Sequence, residues 1–367
     1  MINLLNILYL TNPDYYIKRE GENIVVTHEG KRIKAFPIHI FRQIVLFNYM
    51  GISPAAMKLC MVNNIMITFF TPNGRYCGRV VGNSYGNIYN RKKQYLLSDS
   101  DESIDFVKNI IYAKAYNSRK VLIRGKLDNK EKIDISKMEF SIDFIKDQMK
   151  QITKASNKDT IRGIEGNIAR EYFSAIDELI IKQREDFFMV ERSKRPPMDR
   201  FNALLSFMYS IFTNEITAAL EGVGVDPYAG FFHTDRSGRC SMSLDIIEEF
   251  RSVILDKFCL SLINYGRINK NHFIIKENNA TLLNEKGRDL VLQYWNKREQ
   301  EEVNHYYLDK KVKIEDSLAV LAFAFSVNHY YLDKKVKIGL LAHVQAQLLN
   351  SYIRGDIPSY PPYMQKD

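Results

Sequence analysis

Ile161-Arg-Gly-Ile-Glu-Gly-Asn-Ile-Ala-Arg-Glu-Tyr-Phe-Ser-Ala-Ile-Asp-Glu-Leu-Ile180 places its apolar residues at the period of an α-helix. Projected at about 100° per residue, Ile161, Ile164, Ile168, Tyr172, Ile176 and Leu179 form one stripe. Glu165 falls inside that stripe, between Gly163 and Gly166. An unpaired buried carboxylate costs several kcal/mol, so such a group is neutralised, paired or bound to a metal. The stripe therefore predicts a helix packed in a core, and a partner for Glu165.

Helical periodicity dominates on either side of this stretch, from about residue 91 to the end. Asp199 to Leu220 reads as a long apolar helix closed by Gly222. Lys182 to Pro197 is charged and ends on Pro196-Pro197, which marks a loop. The first 85 residues differ. Short β-branched and aromatic runs such as Ile24-Val-Val26 and Ile65-Met-Ile-Thr-Phe-Phe70 alternate with turn residues. Ser53-Pro54 is a helix start, a capping residue followed by proline at the first turn. Met1 to Leu10 is apolar but lacks a basic leader and a cleavage site, and reads as a first strand. The expected fold class is α+β: a small β-rich domain over 1–85, a glycine- and asparagine-rich linker over 86–98, and a larger all-α domain over 99–367.

The chain has 367 residues, 46 % of them hydrophobic, and a net charge of +9. This composition excludes a disordered chain, and the charge favours a polyanionic partner such as nucleic acid. Cys60, Cys77, Cys240 and Cys259 have neither zinc-ligand spacing nor the density of a disulfide framework, which fits a reducing cytoplasm. No apolar stretch is expected to span a membrane. Val303-Asn-His-Tyr-Tyr-Leu-Asp-Lys-Lys-Val-Lys-Ile314 recurs unchanged at 327–338. Two copies are too few for a solenoid and read as a local tandem duplication.

The best partners for Glu165 lie about 70 residues downstream. His233 sits in a loop of glycine, aspartate and arginine, followed by a helix that Ser241 or Ser243 can cap. On that helix Ile246, Ile247, Phe250, Val253 and Ile254 form the core face, and Asp245, Glu249, Ser252 and Asp256 the expected solvated face. Glu248 falls at the border, with Asp245 three residues earlier. One imidazole and two carboxylates suit Mg²⁺ or Mn²⁺ better than Zn²⁺. Arg236 and Arg239 in the same loop suit phosphate oxygens, and a metal beside such cations is what phosphoryl transfer needs. Each residue also has a plainer reading. Glu165 can pair with a buried arginine, Tyr172 can be simple core, and Asn202 is a polar intruder open to a structural hydrogen bond or a site role. Lys92, Lys93, Lys194 and Arg195 are basic candidates for a DNA track.

Four ordered motifs carry a resemblance. Ile161 to Phe173, Phe201-Asn-Ala-Leu-Leu-Ser-Phe-Met-Tyr209, Gly224-Val-Asp-Pro-Tyr-Ala-Gly-Phe-Phe-His-Thr-Asp-Arg-Ser-Gly-Arg239 and Leu244-Asp-Ile-Ile-Glu-Glu-Phe-Arg251 are similar to the CRISPR-associated integrase and endonuclease of spacer acquisition. The pattern is most similar to the subtype I-C members. The resemblance implies metal ligands at Glu165, His233 and Glu248, with Asp245 as the neighbouring catalytic acid. It implies Mg²⁺ or Mn²⁺, and a reaction joining the 3′-hydroxyl of a short DNA duplex to a CRISPR repeat boundary by transesterification, or hydrolysing DNA when water attacks. It further implies a homodimer that forms a heterohexamer with a smaller ferredoxin-like subunit, and an accessory trimming nuclease. Two other classes stand beside this reading: a DNA-binding assembly subunit with a degenerate site, and a repair nuclease for branched DNA. The departure from the family is the duplication, which separates segments that otherwise follow one another directly.

Overall fold

The punctuated runs at the start of the chain become seven strands in two sheets. The computed structural model describes residues 6–48, 50–71, 74–82, 88–193, 196–305 and 335–365. Its chain divides into two units, Met1–Tyr85 with Leu283–Asn296, and Gly86–Leu282 with Lys297–Asp367. Most of the duplicated segment, Gly86-Asn87, and the basic pair Lys194 and Arg195 lie outside the described residues.

In the first unit the order is β1 (Asn6–Leu10), β2 (Tyr15–Glu20), β3 (Asn23–His28), β4 (Lys31–Pro37), β5 (Phe41–Leu46), α1 (Pro54–Val62), β6 (Met66–Phe70) and β7 (Tyr76–Val80). Strands β2, β3 and β4 form an antiparallel meander in which Ile17 faces Val26 and Val25 faces Ala35. Gly21 and Gly30 make its two turns at φ of +61° and +75°, where a side chain would be strained. The second sheet runs β1-β5-β6-β7, with β1, β5 and β6 parallel and β7 antiparallel. Ile17, Ile24, Val26, Ile44, Leu46 and Ile67 meet Leu59 and Cys60 of α1 in one core. Ser53 caps α1 by accepting from the Ala56 amide at 3.2 Å, with Pro54 in the first turn.

The second unit is built of α2 (Ile88–Ser98), α3 (Ile104–Asp128), α4 (Ile135–Lys154), α5 (Lys158–Ile176), α6 (Arg200–Gly222), α7 (Ser241–Ile247) and α8 (Lys257–Asn264), with a π-helical turn at Arg251–Asp256 between the last two. Then come β8 (Phe273–Ile275), β9 (Thr281–Leu283), β10 (Glu302–Asn304), β11 (Lys335–Lys337) and α10 (Leu341–Arg354), while α9 (Glu285–Arg298), between β9 and β10 in the chain, falls almost wholly in the first unit. Helices α3, α4 and α5 pack on one another, and α6 packs on α7 and α10. Asp199 caps α6 through the Asn202 amide at 2.7 Å, and Asn157 caps α5 through the Thr160 amide at 2.8 Å.

Three expectations change. The stretch 86–98 is not a linker through its length, because Ile88–Ser98 is helix α2. Its Asn90, Arg91 and Gln94 bond Asn350, Gly224 and Asp226, so tertiary contacts hold a helix that its glycine-rich approach conceals. The larger part is not all-α, since β8 pairs β9 and β10 pairs β11. Strands of three residues are too short to display alternation. Helix α6 does have the length and apolarity to cross a bilayer, yet 78 % of that apolar window is buried inside the protein, as for a core helix.

Candidate active site

The stripe of α5 is buried as its period predicts: Ile161, Ile164, Ile168, Tyr172, Ile176 and Leu179 are each 7 % exposed or less. Glu165 stands at its edge. Its side chain keeps 23 % exposure, because Gly163 and Gly166 leave open space on either side of it. Its partner is Lys114 of α3, 51 residues earlier in the chain. The same ammonium lies 2.7 Å from Oε2 of Glu248. Lys114 thus stands between two carboxylates from two different segments, and is itself only 9 % exposed.

Glu248 is buried, and its other oxygen, Oε1, pairs with Nη1 of Arg251 at 3.0 Å and lies 3.7 Å from Nε2 of His233. Burial alone would raise the Glu248 pKa, but Arg251, then Lys114 and His233, hold it at about 2. Burial likewise works against the Lys114 ammonium, and Glu165 and Glu248 overcome it, so that its pKa is raised.

His233 is held from behind by Asp245, which is fully buried and accepts four hydrogen bonds: the amides of Phe231 (2.6 Å), Phe232 (2.9 Å) and His233 (2.9 Å), and Nδ1 of His233 (2.7 Å). A proton on Nδ1 leaves Nε2 with a free lone pair turned toward Glu248. The loop that carries His233 is tied to α2. Gln94 donates to the Asp226 and Ala229 carbonyls at 2.8 and 2.9 Å, and Ser98 to the Gly230 carbonyl at 2.5 Å. Gly230 lets the loop lie against α7: a Cβ there would come within 2.7 Å of Ser241 Cβ and 3.1 Å of Asp245 Oδ2.

The helix after His233 differs from expectation in two ways. Cys240 is the residue at its N-terminus, without a side-chain cap, while Ser241 and Ser243 are buried within the helix. The residues expected on a solvated face, Asp245, Glu249, Ser252 and Asp256, are all buried. The cause is packing: α3, α6 and α8 surround the π-helical turn, and α6 covers α7. The acidic side of this element is therefore covered as its apolar side is, and the π-helical turn changes the projected angles.

Each displaced acid has its own partners. Asp256 accepts from Tyr172 (2.9 Å) and Tyr209 (2.6 Å), so Tyr172 is core with a polar handle. Asn202 accepts from Arg192 at 2.6 Å and donates to the Glu191 carbonyl at 2.8 Å, a structural role rather than one at the carboxylate pair. Arg236 and Arg239 line a cleft of 570 Å³ together with Tyr95, Tyr228, Asp226 and Asp235. Lys93 donates to the last carbonyl of α10, Arg354, at 3.0 Å, and Lys92 is exposed. Lys114 and Arg251 are the residues that sequence reasoning missed. A single lysine on a long helix carries no signal, and Arg251 enters the sequence reading only as the last residue of the Leu244–Arg251 motif.

The donor chemistry of Glu165, Glu248 and His233, two carboxylates and one imidazole nitrogen, suits a hard divalent cation, and the two carboxylates already share one cation, Lys114. Among the described residues no three such side chains stand close enough together to clasp an ion as they are. Lys114 lies between the two carboxylates.

A family model described as "CRISPR associated protein Cas1" matches residues 8–297. The CRISPR-associated endonuclease Cas1 1 of Chlorobaculum tepidum is 36 % identical over 361 residues, 98 % of each chain. A Cas4 exonuclease/Cas1 endonuclease fusion of Geobacter sulfurreducens is 29 % identical over 98 % of this chain and 60 % of its own. Among solved structures, a chain of a Cas6-RT-Cas1–Cas2 complex shares the fold with a TM-score of 0.76 at 19 % identity, over 99 % of this chain and 36 % of that one. A casposase bound to integration product does so at 0.77 and 18 %, over 97 % and 93 %. With its helical stripe, its His233 loop and a family match across most of its length, the chain belongs to the Cas1 family of CRISPR-associated proteins.

Proposed function

We propose that this chain is a metal-dependent DNA integrase with nuclease activity, joining short foreign duplexes to a CRISPR repeat boundary. The observation that carries the reading is the convergence of Glu165, Glu248 and His233 from three separate segments, with Asp245 fixing the imidazole. Glu165, Glu248 and Nε2 of His233 would hold Mg²⁺ or Mn²⁺. Bound there, the ion supplies Lewis-acid polarisation of a phosphodiester and stabilises charge on the attacking or leaving oxygen. The chain's own residues do the rest. Asp245 keeps the His233 proton on Nδ1. Arg251 holds Glu248 ionised and in place. Arg236 and Arg239 line a cleft, suited to phosphate oxygens of a DNA strand.

The net charge of +9 suits duplex DNA, bound with a steep dependence on salt. In this reading the β-rich unit pairs two copies, a smaller ferredoxin-like subunit joins them in a heterohexamer, and a separate nuclease trims the DNA. A Cas1–Cas2 complex and a Cas4 fusion among the similar proteins support a second subunit and a partner nuclease.

The test is integration of a short duplex into a repeat-bearing plasmid, with the smaller subunit and Mn²⁺ present. Wild type is expected to integrate. Glu165→Ala and His233→Ala are expected to bind duplex and fail to integrate. Integration that persists in either variant removes the site assignment. A wild type that binds duplex but never integrates favours the assembly-subunit reading.

A further inference from the structure

We propose that Lys114 is a built-in cation that holds the ligand site in its metal-free form and competes with the divalent ion for it. The proposal rests on the metal-site reading above and assigns a positioning role to a residue outside the ligand set. Buried lysines are rare unless paired. Both ion pairs of Lys114 go to carboxylates of the proposed ligand set, Glu165 and Glu248. Arg251 takes the remaining oxygen of Glu248 at 3.0 Å. Two carboxylates are therefore matched by two cations without any metal.

An ion at ordinary distances of about 2.0–2.6 Å from these oxygens would occupy the space of the Lys114 ammonium. The two cannot share it. Lysine is a point charge on a flexible four-carbon stem and can withdraw, whereas the planar fork of Arg251 is set beside the site. The ammonium bridges the two carboxylates and offsets their mutual repulsion in the metal-free form.

Mn²⁺ binding to the full chain, read by electron paramagnetic resonance without DNA, tests this in wild type, Lys114→Met and Lys114→Arg. Removing the competitor is expected to tighten Mn²⁺ binding about tenfold in Lys114→Met. The melting temperature without metal should fall, and the rise on adding Mn²⁺ should exceed that of wild type. Lys114→Arg retains the charge and is expected to bind Mn²⁺ no more tightly than wild type. Equal or weaker binding in Lys114→Met overturns the proposal while leaving the metal site standing. No binding in wild type or variant removes the metal reading, and the proposal with it. If Lys114→Met does not fold without metal, acylation of Lys114 in wild type, read by peptide mass spectrometry, decides. Reactivity that rises with Mn²⁺ supports displacement, and unchanged reactivity overturns it.

Discussion

Glu165 and Glu248 present the same charge to the same ammonium, but water reaches them unequally, at 23 % and 2 % side-chain exposure. Their substitutions should therefore separate function from stability. Glu165→Gln should abolish integration and cost about 1 kcal/mol in urea denaturation, because Glu165 is partly hydrated and Lys114 keeps its pairing with Glu248. Glu248→Ala should abolish integration and also cost about 3–5 kcal/mol, because Arg251 would lose its carboxylate and Lys114 would keep Glu165 alone. The Glu248 pKa is lowered from 4.5 to about 2, so its contribution to stability is present above pH 4.5 and lost as pH falls toward 2. Sequence reading identified Glu165 as an anomaly and named His233 and Glu248 as its company. It did not find Lys114, because a helical period reveals angles on one helix and not which neighbouring helix reaches across.

At the scale of elements, the site depends on how closely the His233 loop lies on α7. Gly230→Ala would press a methyl group onto Ser241 and Asp245, and Ser241 contributes backbone that cannot yield. The expected outcome is a folded protein with integration reduced about a hundredfold, since small misplacements at a reacting centre cost that much. Circular dichroism checks the fold and the plasmid assay the rate. The duplication is also an element-scale matter. Val303, in the first copy, pairs with Val336, in the second, across β10 and β11. The strand pair thus joins the start of one copy to the end of the other. The Ser53 cap, the start of the long helix at Asp199 and the face of α5 were legible in the sequence because they are local, whereas the cap expected at Ser241 or Ser243 was not formed. The π-helical turn was not legible, because Phe250 to Leu255 keeps an ordinary helical pattern and the irregularity comes from packing on α3, α6 and α8.

Across the second unit, a buried polar network ties the C-terminal stretch to the segment that carries the site. Glu249 accepts from Gln345 (3.0 and 3.1 Å), from Tyr360 Oη (2.9 Å) and from the Tyr363 amide, while Asn117 donates to the carbonyls of Glu249 and Tyr363 at 2.8 Å. Burial outweighs these donors and pushes the Glu249 pKa from 4.5 up to about 8. A raised carboxylate pKa means that the folded protein holds the proton more tightly than the unfolded chain. Its stabilising effect is complete below pH 4.5 and is lost as pH rises to about 8. Glu249→Gln, a neutral analogue, should flatten this decline, which amounts to as much as about 1.4 kcal/mol per pH unit. Urea midpoints measured from pH 5 to 8.5 in both proteins check it. Parallel slopes would show that Glu249 is already ionised in the folded state.

The sequence by itself determined the α+β character, the helix starts and the apolar stripe with its intruding carboxylate. These follow from chain-local rules of period, capping and turn chemistry. It also determined the family, because four motifs in fixed order are a property of the chain. Only the tertiary structure decided which charges are buried and with whom. Asp245, Glu249 and Asp256 share a projected face, yet one orients an imidazole, one pins the C-terminal stretch and one receives two tyrosines. Burial is set by what packs on every side of an element, and a helical projection contains only the element itself.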